Sequence, residues 1–315
     1  MEDTQTRGET HYCVPRVPEH RNTVLAYLLM FRPQQWTKNL LVLIPLLFSR
    51  QLLIQGQLLR ALAMFAAFCL VSSAVYVVND LIDRESDRAH PRKRHRAIAS
   101  GRVGSRAASV AALVLLLAGA VLIRNAAPLA AACLIGYLAL QAVYVTVLRH
   151  VVILDVMAIA AGFVLRAAAG AHAINVMISP WLLICTILLA LFLALIKRRS
   201  ELIASNQPAT HRRVLSDYSQ PLLDQLIAVV TSGTILAYML YTYSSETTRR
   251  FDTRLMPLTL PFVLYGIFRY LYLTYTRSQG AEPEVLFLTD LPLLVTIFLW
   301  CGAVAAIVYQ GVVQP

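Results

Sequence analysis

A group of acidic side chains follows a long apolar segment with the spacing of one helix face. If the helix of that segment continues, Asn79, Asp83 and Asp87 stand four residues apart on one side, and Asp80 lies beside them. Carboxylates grouped at the end of an apolar segment repel one another and need a cation. Oxygen ligands on a partly hydrated face suit Mg²⁺, which proteins usually hold with one or two carboxylates and the phosphates of a substrate. In the alternative interpretation, this is a solvated helix end whose acids pair with neighbouring arginines.

A dense run of bases comes next, since residues 91–96 read PRKRHR. We expect Lys93 and Arg96 to reach back to phosphate oxygens that the metal bridges, through charge-assisted hydrogen bonds. In the alternative interpretation, these bases only fix the topology of a membrane protein.

Two opposite charges lie inside another apolar segment. Asp155 and Arg166 are separated by about three helical turns, so they share a face about 16 Å apart along the axis. Gly162 and Gly170 lie on that face and allow close approach by a neighbouring helix or a ligand. Ionisable groups within a membrane span normally face a polar cavity or each other, which predicts a functional role. The alternative is structural ion pairing with residues of another helix.

Two further polar clusters lie at the ends of apolar segments. One cluster contains Lys197 and Glu201, which are i,i+4 partners; the other contains Gln35, Lys38 and Asn39. Bases that extend from helix ends to the membrane interface explain the first cluster in part. The economical interpretation of all these groups is one cavity at the membrane boundary with acids, bases and a divalent ion. Such a cavity fits a diphosphate substrate together with a lipid that enters between helices.

The composition identifies the elements that must position these residues. The chain has 315 residues, of which 58% are hydrophobic and only 14% are charged. A soluble domain carries about 25% charged residues, so this chain has too little polar surface for a soluble fold. The net charge of +11 comes from bases in short links between apolar runs, which argues against nucleic acid as a partner. The cysteines form no C-x-x-C pair and read as small apolar residues.

The apolar runs predict an all-α fold, a polytopic membrane bundle of about nine transmembrane helices. A crossing helix needs about 20 mostly apolar residues. Residues 1–21 lack such a run and are expected to form a flexible arm, with one transmembrane domain over 22–315. The nine runs are 38–55, 58–78, 107–123, 127–148, 151–173, 178–196, 221–243, 256–275 and 288–309.

The distribution of bases predicts the orientation in the membrane. With a cytoplasmic N-terminus, 21 Lys and Arg residues fall on the cytoplasmic side and 6 on the other, with Arg166 inside a span. Cytoplasmic loops carry the excess of bases in membrane proteins. We therefore expect a multi-pass protein of the cell (inner) membrane whose N-terminus and polar cavity face the cytoplasm.

Several motifs together resemble a known family. The acidic motif and the Lys93 that follows it are similar to the first acidic motif of the UbiA superfamily of intramembrane prenyltransferases. Residues 32–39, 162–170 and 197–201 resemble its branch of decaprenyl-phosphate phosphoribosyltransferases. The resemblance covers about residues 22 to 309. It implies a central cavity open to the cytoplasmic side, and Mg²⁺-dependent transfer of 5-phosphoribose from phosphoribosyl diphosphate to a polyprenyl phosphate for cell-envelope synthesis.

The resemblance also implies roles for individual residues. Asp80, Asp83 and Asp87 would be the catalytic carboxylates, with Asn79, Asp83 and Asp87 as metal ligands. The substrate-binding residues would be Gln35, Lys38, Asn39, Lys93, Arg96, Tyr144, Asp155, Arg166, Lys197 and Glu201. Members that prenylate aromatic rings carry a second acidic motif, whereas Asp155 here is followed by Ile159. That departure disfavours the alternative of an aromatic prenyltransferase.

Two matters stay open at this stage. A secondary transporter would also place charges inside the membrane, but transporters usually have repeated halves, and none is evident in this sequence. The sequence does not decide between a monomer and a homo-oligomer.

Overall fold

The computed structural model describes residues 23–89, 93–203, 215, 217–277 and 283–310. Regular structure in these ranges is helical throughout, which confirms the all-α prediction. The α-helices are α1 (Thr23–Met30), α2 (Ile44–Leu47), α3 (Gln55–Ile82), α4 (Arg84–Ala89), α5 (Ser105–Ile123), α6 (Pro128–Thr146), α7 (Leu154–Ala173), α8 (Pro180–Ile203), α9 (Gln220–Tyr243), α10 (Ser245–Phe251), α11 (Leu260–Arg277), α12 (Pro283–Thr289) and α13 (Leu291–Tyr309). The predicted arm, residues 1–21, lies outside the described ranges.

The described residues contain eight helices that are long and apolar enough to cross a membrane, where the sequence has nine apolar runs. The difference is the run 38–55. It forms part of a 3-10 helix, Pro33–Leu43, and the four-residue α2, followed by turns. Arg32 precedes it in the left-handed conformation, with φ 51°, and Pro45 lies at the start of α2. Eleven residues at about 2.0 Å rise give the 3-10 helix a length of about 22 Å.

Helices α3 and α7 are the most buried of the long helices. Helix α7 packs against α6, α8 and the 3-10 helix, and α3 packs against α5 and the 3-10 helix. Helix α7 allows this close packing because its buried positions carry mostly alanine and glycine. At Gly170 an added Cβ would lie only 2.0 Å from the carbonyl oxygen of Val42 in the 3-10 helix. The polar groups of α3 and α7 are therefore central in the bundle.

Candidate active site

One large cavity, of about 1490 Å³, lies between the helices. Its lining combines nine Lys and Arg side chains with four carboxylates and many apolar side chains. Eleven predicted site residues line it: Gln35, Lys38, Asn79, Asp80, Asp83, Lys93, Arg96, Tyr144, Arg166, Lys197 and Glu201. The other three predicted site residues, Asn39, Asp87 and Asp155, do not.

The acidic motif keeps its four-residue register although the helix breaks. Helix α3 ends at Ile82, and α4 begins at Arg84. The Asp83 amide still donates to the Asn79 carbonyl at 2.9 Å, and the Asp87 amide donates to the Asp83 carbonyl at 2.8 Å. The chain from Asn79 to Asp87 therefore follows the helical path that the spacing predicts.

Two of the carboxylates are neutralised by arginines. Asp80 accepts hydrogen bonds from Arg32 at 2.5 Å and from Arg96 at 3.1 Å. Arg96 also donates to Asp87 at 2.6 Å. The Asp87 side chain, predicted to be a metal ligand, is only 4% exposed, does not line the cavity and pairs with Arg96.

Asn79 and Asp83 are the acidic-motif groups best placed for a metal. Both line the cavity, and the Asp83 side chain is 31% exposed. Arg149 approaches both Asp83 oxygens at 3.4 Å, which is a long contact. Within the described part of the chain, no group of three or more His, Cys, Asp or Glu side chains is arranged to hold a metal. Mg²⁺ is usually held by one or two carboxylates together with substrate phosphates, so Asn79 and Asp83 fit this ion only in combination with a phosphorylated substrate.

A second charged network connects α7 to α8. Arg198, 2% exposed, donates to Asp155 at 2.6 Å, to Glu201 at 2.5 Å and to the Tyr144 hydroxyl at 3.2 Å. The Tyr218 hydroxyl donates to the other Asp155 oxygen at 2.8 Å. Asp155 is fully buried and acts as the counter-ion of Arg198. Asp155, predicted to bind substrate, thus pairs with Arg198 and Tyr218 in the structure and can orient Arg198.

Arg166 lies in a third network. It donates to the Asn39 side-chain oxygen at 2.8 Å and to the Tyr137 hydroxyl at 3.0 Å. Its guanidinium lies 4.5 Å from the centre of the Tyr137 ring, a cation–π distance. Asn39 is fully buried and donates to Ser72 at 3.1 Å. These contacts fix Arg166 at the cavity wall. Asn39 does not line the cavity itself, but its hydrogen bond orients Arg166, which does.

The 3-10 helix brings another base to the cavity. Lys38 donates to the Gln35 side chain at 2.5 Å, and Tyr76 of α3 donates to the same oxygen at 3.3 Å. Lys93 and Lys197 line the cavity from two other elements. A surplus of cations around a few carboxylates gives the cavity a positive potential, which attracts phosphorylated ligands.

The structure adds site residues to those predicted. Arg32, Arg149 and Arg198 line the cavity and contact the acidic motif or Asp155. Each stands within or beside a polar cluster of the sequence, which was the available signal. Tyr218 had no such signal, because an isolated tyrosine has no motif. Burial raises the pKa of Tyr218, so it keeps its proton for Asp155. His90 and Pro91 of the sequence motif lie outside the described residues.

Comparison with known proteins identifies the class. A model of the UbiA prenyltransferase family matches residues 42–206, and the chain belongs to this family. The chain is 31% identical to decaprenyl-phosphate phosphoribosyltransferase of Mycolicibacterium smegmatis, over 94% of this chain and 96% of that one. The enzyme of that name from Corynebacterium glutamicum is also 31% identical, over 88% of this chain and 85% of its own. These relatives confirm the resemblance drawn from the motifs.

Solved structures share the fold. A UbiA homolog from Archaeoglobus fulgidus, bound to GPP and Mg²⁺, has a TM-score of 0.68 at 16% identity and covers 90% of this chain and 99% of its own. A structure concerning digeranylgeranylglyceryl phosphate synthase has a TM-score of 0.61 at 17% identity, over 91% and 99% of the two chains. With eight long apolar helices among the residues that the structure describes, the chain is an integral membrane protein of this fold.

Proposed function

We propose that the protein transfers 5-phosphoribose from phosphoribosyl diphosphate to a polyprenyl phosphate and releases diphosphate. The observation that carries the proposal is a single cavity that joins a cationic region to an extensive apolar lining. Both substrates bring phosphate groups, and one of them also brings a long hydrocarbon chain. The names of the relatives that match most of the chain support the same reaction.

The positions of the Lys and Arg side chains in the cavity divide them into two groups, one for each phosphorylated substrate. Lys93, Arg96 and Arg149 adjoin the acidic motif, where they would bind the diphosphate. Lys38 and Lys197 line the cavity from the 3-10 helix and α8, where they would bind the lipid phosphate. Ammonium and guanidinium donors stabilise phosphate oxygens through charge-assisted hydrogen bonds.

The metal site in this proposal uses Asn79 and Asp83, with Asp80 beside them. When bound there, Mg²⁺ would supply charge neutralisation for the diphosphate leaving group. Asp87 would contribute by holding Arg96, with which it pairs at 2.6 Å. A homolog of the same fold was solved with GPP and Mg²⁺, which supports the proposal that this protein also uses a metal.

In the reaction, an oxygen of the lipid phosphate forms a bond to ribose C1 while the bond from C1 to the diphosphate breaks. The nucleophile is already ionised at neutral pH, so the site needs no strong general base. The bases hold the two anionic substrates against their mutual repulsion and stabilise charge on the departing diphosphate. Tyr144, which contacts Arg198 at 3.2 Å, would orient a ribose or phosphate oxygen.

The geometry of Asp155 disfavours the alternative of an aromatic prenyltransferase. A second metal would need a free pair of acids on α7. Asp155 is instead enclosed between Arg198 and Tyr218, and position 159 is Ile159.

We also propose the membrane placement and the domain organisation. The bases of residues 84–106 and 197–220 would face the cytoplasm at the inner membrane, and residues 22–315 would form one domain after the arm 1–21. In a cysteine-free background, Ser100→Cys should react with an impermeant maleimide in inside-out vesicles, and Ser245→Cys in intact cells. Both residues are exposed. The reverse labelling pattern would contradict this orientation.

The transfer itself is tested with radiolabelled phosphoribosyl diphosphate, purified protein, Mg²⁺ and a polyprenyl phosphate. Label should move into the organic phase, and EDTA should prevent it. Activity on a polyprenyl diphosphate with an aromatic acid, and no transfer of phosphoribose, would refute the proposal in favour of the alternative.

A further inference from the structure

We infer that Tyr218 is a positioning residue, which holds a strained turn at the start of α7 and thereby fixes two cavity arginines, Arg149 and Arg198. Tyr218 lies outside every motif of the sequence and does not line the cavity. Its side chain is 4% exposed and packs in the core with Val156 and Leu223.

The turn is centred on Ile153. This residue has φ 69° and ψ −45°, and the Leu154 amide donates to the Val152 carbonyl at 2.8 Å. These values describe a γ-turn with positive φ, a rare and strained conformation. A β-branched side chain makes it less favourable still, so the surrounding structure must hold it in place.

The Tyr218 hydroxyl supplies that restraint. It accepts a hydrogen bond from the Ile153 amide at 2.8 Å and donates one to Asp155 at 2.8 Å. One oxygen atom therefore connects the turn to the first helical residues of α7. Residues with strained backbone conformations are often found at functional sites, where they help to hold side chains in the orientation that the chemistry needs.

The two groups that the Tyr218 hydroxyl connects, the Ile153 turn and Asp155, are each linked to an arginine that lines the cavity. Asp155 holds Arg198 at 2.6 Å, and Arg198 contacts Tyr144 and Glu201 of the cavity wall. On the other side, Arg149 lies four residues before the turn and contacts Asp83 of the acidic motif. Loss of the hydroxyl would leave the Ile153 amide and one Asp155 oxygen without this partner, and both arginines would lose their fixed positions.

The test compares Tyr218→Phe with a matched control, Tyr275→Phe. Both substitutions remove a tyrosine-to-carboxylate hydrogen bond, but Tyr275 contacts Asp224 and does not line the cavity. In Tyr218→Phe we expect binding of Mg²⁺–diphosphate, measured by calorimetry, to weaken about tenfold, and kcat to fall at least tenfold with KM for the lipid phosphate within twofold. The control should match the wild type in all three quantities.

A double variant separates positioning from a general loss of structure. Glycine adopts positive φ without the Cβ penalty, so Ile153→Gly combined with Tyr218→Phe should recover much of the diphosphate binding lost in Tyr218→Phe. No rescue, wild-type binding in Tyr218→Phe, or an equal loss in Tyr275→Phe would overturn the inference. The turnover readout rests on the proposed function, whereas diphosphate binding does not. A wild-type protein that binds diphosphate in a Tyr218-dependent way but transfers no phosphoribose would refute only the proposed function.

Discussion

The contact between Gly170 and the 3-10 helix gives the sharpest quantitative prediction. In Gly170→Ala the new Cβ would lie 2.0 Å from the Val42 carbonyl oxygen, whereas ordinary contacts begin at 3.4 Å. The obstructing atom belongs to the backbone, so no side chain can turn away. The 3-10 helix must therefore move by roughly 1.4 Å, the difference between these two distances.

That movement reaches the site through Asn39 and Lys38, which lie on the same element as Val42. The hydrogen bond of 2.8 Å from Arg166 to Asn39 would not survive it. A displacement of about 1 Å in a positioning element can reduce turnover by about 100-fold. We expect a loss of that size in kcat/KM for phosphoribosyl transfer, in protein that remains monodisperse in detergent.

The control is Gly233→Ala. Its Cβ would meet only Leu188 side-chain atoms, at 3.7 Å and beyond, so the helix gains the intrinsic preference of alanine, about 0.5–1 kcal/mol. We expect full activity and an equal or higher melting temperature. Wild-type turnover in Gly170→Ala would show that the 3-10 helix does not position the site as argued.

Three further variants test the charged groups. Asp83→Ala should abolish turnover but leave a folded protein, because Asp83 is the acidic-motif carboxylate most accessible to a metal. Asp155→Ala should lower the free energy of unfolding by about 3 kcal/mol, measured by titration with SDS, because it removes one of the two carboxylates that pair with the buried Arg198 charge. The hydrogen bond from Arg269 lowers the pKa of Asp290, so this ion pair stabilises the fold above the ordinary carboxyl pKa and is lost as the pH falls through the lowered value. The melting temperature of the wild type should therefore fall below about pH 4 more steeply than that of Asp290→Asn.

Each of these three predictions has an outcome that would contradict it. Turnover in Asp83→Ala would remove this residue from the metal site. An unchanged SDS titration in Asp155→Ala would mean that Glu201 alone compensates Arg198. Parallel melting curves of the wild type and Asp290→Asn would show that the pair with Arg269 does not stabilise the fold.

The acidic motif was predictable because its register is local. Hydrogen bonds four residues apart carry Asn79, Asp83 and Asp87 along one path, as their spacing indicates. The environment of Asp87 was not predictable in this way. Arg96 lies outside α4 and contacts Asp87 at 2.6 Å, and spacing along a helix contains no information about such a contact.

The run 38–55 and Tyr218 show two other limits of prediction from the sequence. Hydropathy counts apolar residues but not backbone conformation, so it did not reveal that the run 38–55 includes part of a 3-10 helix and the short α2. Pro33 and Pro45 were the available signals of that interruption. Tyr218 is important through its position beside Ile153 and Asp155, which only the tertiary structure creates.

The arginines around the acidic motif also bear on how the protein is made. Arg32 and Arg96 compensate Asp80 and Asp87 within the chain itself. In many metalloproteins folding requires the ion, because the unfolded chain has no preformed site and the free energy of metal binding drives folding. Here arginines of the chain pair with these two carboxylates, so we expect the bundle to fold without a bound metal. If the proposed magnesium dependence holds, the ion would bind after membrane assembly, and a shortage of magnesium would yield an inactive but correctly folded enzyme.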